Sequence, residues 1–211
     1  GGGGGDFPNN STRTFPAPVR RIDVTSAGGL TAVTVARNSG VEVTTAENIR
    51  LGAPARSLTL GDSETFLDAA VSRDEVHVLA ARQLPSRSGA VAGRLDPANQ
   101  SRQVRVRTAT LQGELAGGFA APVVIGEAPE YGFGVGAASI AGTADSVGVV
   151  WEDAASRQLV AAVSTDRGVS FGPPTRVPGS LGAPNVDLEA VVRPPSTAPV
   201  ARFGWSVADT F

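Results

Sequence analysis

Glycine and proline punctuate this chain so densely that long helices have little room to form. Among 211 residues there are 26 glycines and 15 prolines, and the longest interval free of both runs only from Asp62 to Leu84. Proline removes a backbone donor, and glycine costs about 1 kcal/mol in a helix interior. That one interval reads better as two strands than as a helix. Between the breaks the pattern has a period of two: Val104-Arg105-Val106-Arg107-Thr108 sets valines on one face and arginines on the other, and Val76-His77-Val78-Leu79-Ala80 behaves similarly. The chain is therefore expected to be all-β, with short strands and turn-rich joints, as in a sandwich, barrel or propeller.

Self-similarity chooses among the three. The stretch from Ala138 through Asp145-Ser146-Val147-Gly148-Val149-Val150-Trp151, Leu159 to Val163 and Phe171-Gly172-Pro173-Pro174 has an earlier partner. That partner runs from Ala69 through Asp74-Glu75-Val76-His77-Val78-Leu79, Val104 to Thr108 and Phe119-Ala120-Ala121-Pro122. The earlier copy carries an extra segment between Gln83 and Gln103. A third copy begins at Glu189 and runs to Trp205, and a shorter one occupies Arg21 to Leu51. Units of about 50 residues, each reading as four antiparallel strands, predict a β-propeller of about four blades. Blade bounds of 19–55, 56–127, 128–182 and 183–211 follow, the last with two strands, Leu188 to Arg193 and Val200 to Val207. A sheet cut there leaves an unpaired edge, so the ring is expected to belong to a larger propeller.

Composition narrows the chemistry. There is no cysteine and no lysine, which removes disulfides, thiolate metal sites, thiol nucleophiles and Schiff-base chemistry. No cofactor or metal is expected, because one histidine cannot build a multi-histidine site. A formal charge of −2 argues against binding the nucleic-acid backbone. The absence of methionine suggests a processed product, an excised domain or a fragment. Residues 1–18 open with Gly1 to Gly5 and read as a flexible tether. The run resembles the segment after the lipid-modified cysteine of bacterial envelope lipoproteins, an artificial linker being the other reading. Any membrane association is expected only through such an anchor, and the location is expected to be extracytoplasmic.

One motif carries a family resemblance. Ser164-Thr165-Asp166-Arg167-Gly168-Val169-Ser170-Phe171 resembles the Asp-box of sialidase-like and BNR-repeat propellers, with all five pattern positions (Ser164, Asp166, Gly168, Ser170, Phe171) matched. A short aspartate can accept backbone amides across a tight turn, and glycine tolerates positive φ there. The resemblance implies a turn between a blade's third and fourth strands, opposite the ligand funnel, with Asp166 structural. Arg21-Ile22-Asp23 resembles the family's Arg-Ile-Pro element, with Asp23 in place of proline, and Arg21 is read as a surface or edge-strand arginine. The family's Tyr/Glu pair comes from different blades, whereas Glu130 and Tyr131 are sequence neighbours. Catalytic residues are therefore expected to be none.

Other motifs have plainer explanations. Gly168 to Gly172 fits Gly-x-Ser-x-Gly, but that elbow needs a parallel sheet and a later histidine, and His77 precedes it. His77 is expected to be a packed or partly exposed strand residue. Gly132-Phe133-Gly134-Val135-Gly136 lacks a following helix and reads as a link between blades. Asp145 and Glu152 are read as residues of solvated turns, since nothing sets a carboxylate separation. The triplets at Asn10 and Asn99 are too common to use.

The resemblance to sialidase-like propellers implies that function sits on the face formed by the second-to-third strand connections and the joints between blades. Two segments stand out: Gln83 to Gln103, with Arg87 and Arg94, and Gly126 to Gly136, with Tyr131 and Phe133, Trp151 lying nearby. The expected function is a non-catalytic binding or scaffold module at the bacterial cell envelope. It would contact a protein or glycan, or a chain that completes the propeller. The alternative is a fragment of a sialidase-like glycoside hydrolase.

Overall fold

A computed structural model describes residues 19–27, 30–37, 40–52, 55–84, 101–111, 118–131, 134–181, 185–192 and 199–206. They form four antiparallel sheets, each joined in sequence order. The first contains β1 (Arg21–Ala27), β2 (Leu30–Ala36), β3 (Gly40–Thr45) and β4 (Arg56–Thr59). In the second are β5 (Glu64–Ser72), β6 (Glu75–Gln83), β7 (Ser101–Thr110), β8 (Val123–Tyr131) and the short β9 (Gly134–Val135). The third consists of β10 (Ala138–Gly142), β11 (Val147–Glu152), β12 (Leu159–Ser164) and β13 (Thr175–Arg176). The fourth pairs β14 (Asn185–Val192) with β15 (Pro199–Ser206). The interval from Asp62 to Leu84 is a hairpin of two strands, as its alternation predicts.

Sheet bounds differ from the sequence expectation at two joints. Strand β4 hydrogen-bonds to β3, so the first sheet reaches Thr59. The segment after Glu127 continues β8 along β7, so the second sheet keeps residues through Val135.

The sheets pack face against face. Strand β6 is buried along Val76–Ala81 because it is covered on both sides. Val76, Val78 and Ala80 join a core with Ala32, Val41, Val43 and Leu58 of the first sheet. Leu79, Val104 and Val106 join a second core with Ile140, Val149 and Trp151 of the third. Each fully buried valine contributes roughly 1.5–3 kcal/mol. Alanines at 69, 70, 80 and 81 let the sheets approach closely.

The one helix among the described residues, α1 (Ala46–Leu51), joins β3 to β4. Thr45 caps it by accepting from the Asn48 amide, Gly52 closes it at φ 70°, and Glu47 and Arg50 complement its ends. It is too short to show an apolar stripe, so the hydrophobic pattern missed it.

First strands touch in series, β1 against β5, β5 against β10 and β10 against β14. Their starts lie at one end of the stack, because Arg21 on β1 reaches Asp68 on β5, and Asp68 reaches Ser139 on β10. At the opposite end Arg73 pairs with Asp145 across the hairpin turns of the second and third sheets. Among the described residues no strand pairing links the fourth sheet to the first.

Candidate functional site

The end where the first strands begin gathers the polar groups. Arg21, half exposed, sends Nε to Asp23 Oδ1 (2.9 Å), one terminal nitrogen to the Leu67 carbonyl (2.5 Å) and the other to Asp68 Oδ1 (3.2 Å). A β-bulge between Phe66 and Asp68 turns the aspartate toward the neighbouring sheets. Its Oδ1 also accepts the Ala69 amide (2.9 Å), while Oδ2 accepts the Ser139 hydroxyl (2.8 Å) and the Ile140 amide (2.9 Å). A carboxylate offers about four lone-pair sites, and Asp68 has four protein donors on it. Burial raises its pKa, against the opposing pull of those donors and of Arg21. Asp23 differs, since its Oδ2 is shielded from solvent and accepts no hydrogen bond.

Thus Arg21 is an edge-strand residue whose guanidinium ties two sheets together. Asp23, where the resembled element has proline, supplies one of its partners.

At the same end of the second sheet, Arg102 donates to Glu130 (2.6 Å) and Thr65 (3.2 Å). They flank the β6–β7 connection. Of the sequence candidates, Arg87, Arg94 and Phe133 lie outside the described residues, as do residues 1–18. Tyr131 ends strand β8 at this end. Trp151 does not belong to the surface: it is 1% exposed, in the core between the second and third sheets, against the backbone of Gly126. That correction has a simple cause, because only the sheet-to-sheet packing reveals the slot that Gly126 leaves for an indole. Glu152 is likewise buried on β11 and bonded by Arg157 (2.8 Å), whereas Asp145 is exposed and paired with Arg73 (2.7 Å). These two carboxylates sit at opposite ends of the strand and form no catalytic pair.

The Asp-box turn lies between β12 and β13, at the far end of the stack. Ser164 donates to Asp166 Oδ1 (2.6 Å), and Ser170 gives its amide to Oδ1 (2.9 Å) and its hydroxyl to Oδ2 (2.5 Å). The Gly168 amide donates to Ser164 Oγ (2.7 Å). Hydrogen bonds from Ser164 and then Ser170 hold the Asp166 carboxyl down at about 2. Gly168 adopts φ 82°, which glycine takes without strain, and Phe171 packs on the second core. Ser170 therefore has its hydroxyl committed to Asp166.

His77 is fully buried, with Nε2 on Ser72 Oγ (2.6 Å) and Nδ1 on Thr108 Oγ1 (3.0 Å). Burial foremost, with Arg167 adding to it, pushes the imidazole down to about 4. Ser72 and His77 have the spacing of a nucleophile and base, but neither is exposed, so no substrate reaches them. Among the described residues no cluster of three or more His, Asp or Glu side chains could hold a metal ion.

The valine face of Val104 and Val106 is buried as the alternation predicts. The arginine face is half-buried: Arg105 (3.1 Å) and Arg107 (2.6 Å) converge on the buried Glu64, which also accepts the Gly61 amide (2.9 Å). Burial would raise the Glu64 pKa, but the bonds from Arg107 and Gly61 outweigh it and bring it below the ordinary value. The sequence showed the alternation, but not the acid that lets two arginines turn inward.

No family model and no curated protein matches the chain. Among solved structures, the catalytic domain of a Coprinopsis cinerea GH62 α-L-arabinofuranosidase is similar at a TM-score of 0.45 and 12% identity, over 82% of this chain. The chain spans 60% of that domain, and a similarity of this degree assigns neither family nor activity.

Proposed function

We propose that the chain is a run of blades from an Asp-box β-propeller and acts as a binding module. Its ligand would be a glycan, taken at the end where β1, β5 and β10 begin. Serial contact of the first strands supports the propeller reading. The observation that carries binding over catalysis is the saturation of Asp68. Its four acceptor sites are filled by Ala69, Arg21, Ser139 and Ile140, so no lone pair is aimed at a bound substrate. What the end still presents is the half-exposed guanidinium of Arg21, a planar donor group suited to sugar hydroxyls and carboxylates, held in place by Asp23 beneath it. The tether-like composition of residues 1–18 supports a place at the cell envelope.

The hydrolase alternative rests on a specific observation as well, since Asp23 and Asp68 share one arginine and so form a carboxylate pair. One experiment separates the readings. The protein is incubated with sialylated, arabinose-containing and neutral oligosaccharides, and bound and cleaved sugar are both followed by NMR. Binding that Arg21→Ala weakens, without cleavage, supports the module. Cleavage lost in Asp23→Asn supports the hydrolase, and binding of none of these sugars counts against a glycan ligand.

A further inference from the structure

We propose that the Asp-box turn of the third sheet is an acid-released latch on the second sheet. The turn docks through two contacts, both made to groups that change charge in acid. In the first, the backbone of Gly168 lies against His77: a Cβ at that glycine would stand 3.0 Å from Nδ1 and 3.2 Å from both Cε1 and Thr108 Oγ1. In the second, the guanidinium of Arg167 sits 3.7 Å from Asp74 and 3.8 Å from Glu75 on the β5–β6 hairpin.

Every charged group around the imidazole bears on the outcome. From β5 and β7 come only the hydroxyls of Ser72 and Thr108. The hairpin supplies Asp74 and Glu75, with Arg73 beyond them paired to Asp145 of the β10–β11 turn. The docked turn supplies Arg167 and Asp166, the latter bound to its own serines. A neutral imidazole donates from one ring nitrogen and accepts at the other, so a second proton forces one of the two hydroxyls to reverse. It also places a positive charge, buried, near Arg167. Glu75 adds to this: burial pushes its carboxyl up, and its Oε2 accepts no hydrogen bond, so the negative charge facing Arg167 is lost early on acidification.

Asp166 stays ionised to about pH 2, so acid acts on the docking contacts before it reaches this carboxylate. Once undocked, the segment from Ser164 to Phe171 loses the cover of the second sheet, and its short local hydrogen bonds open to solvent.

The sign follows from linkage. Docked, His77 is held neutral down to about pH 4; undocked, it takes up a proton near the ordinary value of 6.5. Between those limits opening gains up to about tenfold per pH unit. Hydrogen exchange read by mass spectrometry from pH 7 to 4, corrected for intrinsic rates, tests it. Peptides covering 164–172 are expected to lose protection by about tenfold per unit below pH 6, while 147–152 stays protected. In His77→Gln the acid opening is expected to disappear. Should that variant fail to fold, Glu75→Gln provides the second reading, with 164–172 exchanging several-fold faster than the parent already at pH 7. Exchange of 164–172 that tracks 147–152 at every pH overturns the proposal. So does an unchanged acid opening in His77→Gln, or neutral-pH protection in Glu75→Gln equal to that of the parent.

Discussion

Replacing Gly126 by alanine tests the packing between the second and third sheets at its tightest point. An added Cβ would stand 2.6 Å from Cζ2 of Trp151, 3.0 Å from Cε2 and 3.1 Å from Nε1. Carbon atoms rest at about 3.5–4.0 Å, so the ring or the strand must give by roughly 1 Å. Neither yields easily. Trp151 is registered against Ala138 and Val160 in the middle of its sheet, and it packs with Ala128 and Ile140 in the second core. Gly126 faces Val104 beside a bulge in the β7–β8 ladder. Overpacking of this kind costs about 1–3 kcal/mol, and a fully enclosed indole places Gly126→Ala at about 2–3 kcal/mol. With a urea slope of roughly 2 kcal/mol/M, the unfolding midpoint should fall by about 1 M. Far-UV circular dichroism is the suitable probe, because the indole itself is perturbed. Trp151→Phe shortens the ring where the methyl would enter, so the double variant should be more stable than additivity predicts by about 1–2 kcal/mol. A midpoint unchanged within about 0.3 M, or strict additivity, would refute the reasoning.

Other consequences can be read with the same unfolding assay. Glu64→Ala leaves the half-buried Arg105 and Arg107 without their acid and should cost about 1.5–3 kcal/mol, the range for hydrogen bonds to charged groups, read from the urea unfolding midpoint. Asp166→Ala should raise hydrogen exchange at 164–172 with no change in oligosaccharide binding, because the turn lies at the end opposite Arg21. Stability should fall as pH drops from 6.5 to 4, since the folded imidazole of His77 lies below its unfolded value, by up to about 3 kcal/mol, and His77→Gln should flatten that slope. Asp68 works in the other direction: its raised carboxyl penalises the folded state above its folded pKa, and acid relieves that penalty. Below the ordinary glutamate value, loss of the Glu64 carboxylate should destabilise the protein further.

Local features of the fold were legible in the chain, and contacts between sheets were not. The alternation at Val76–Ala80 and Val104–Thr108 places β6 and β7, and the punctuation by glycine and proline excludes long helices. The box residues run from Ser164, the last residue of a sheet's third strand, to Phe171 ahead of its fourth, where the resemblance to Asp-box propellers places them. Thr45 and Gly52 are cap signals for α1 that the search for strands passed over. Asp68 is different in kind. It meets Ser139 across 71 residues, and nothing in its own neighbourhood distinguishes it from a surface aspartate until two other sheets are laid beside it. Trp151, expected near the contact surface, is in the core for the same reason, because only Gly126 on another sheet makes room for its indole.

Nuclear Overhauser contacts at the Ile140 amide would test most directly whether the sheets meet through their first strands. The account predicts a cross-peak from that amide proton to the β-protons of Asp68, together with an Asp68 carboxyl that titrates above the ordinary aspartate value. An Ile140 amide with no contact to β5, or an Asp68 that titrates as a free surface carboxylate, would contradict it.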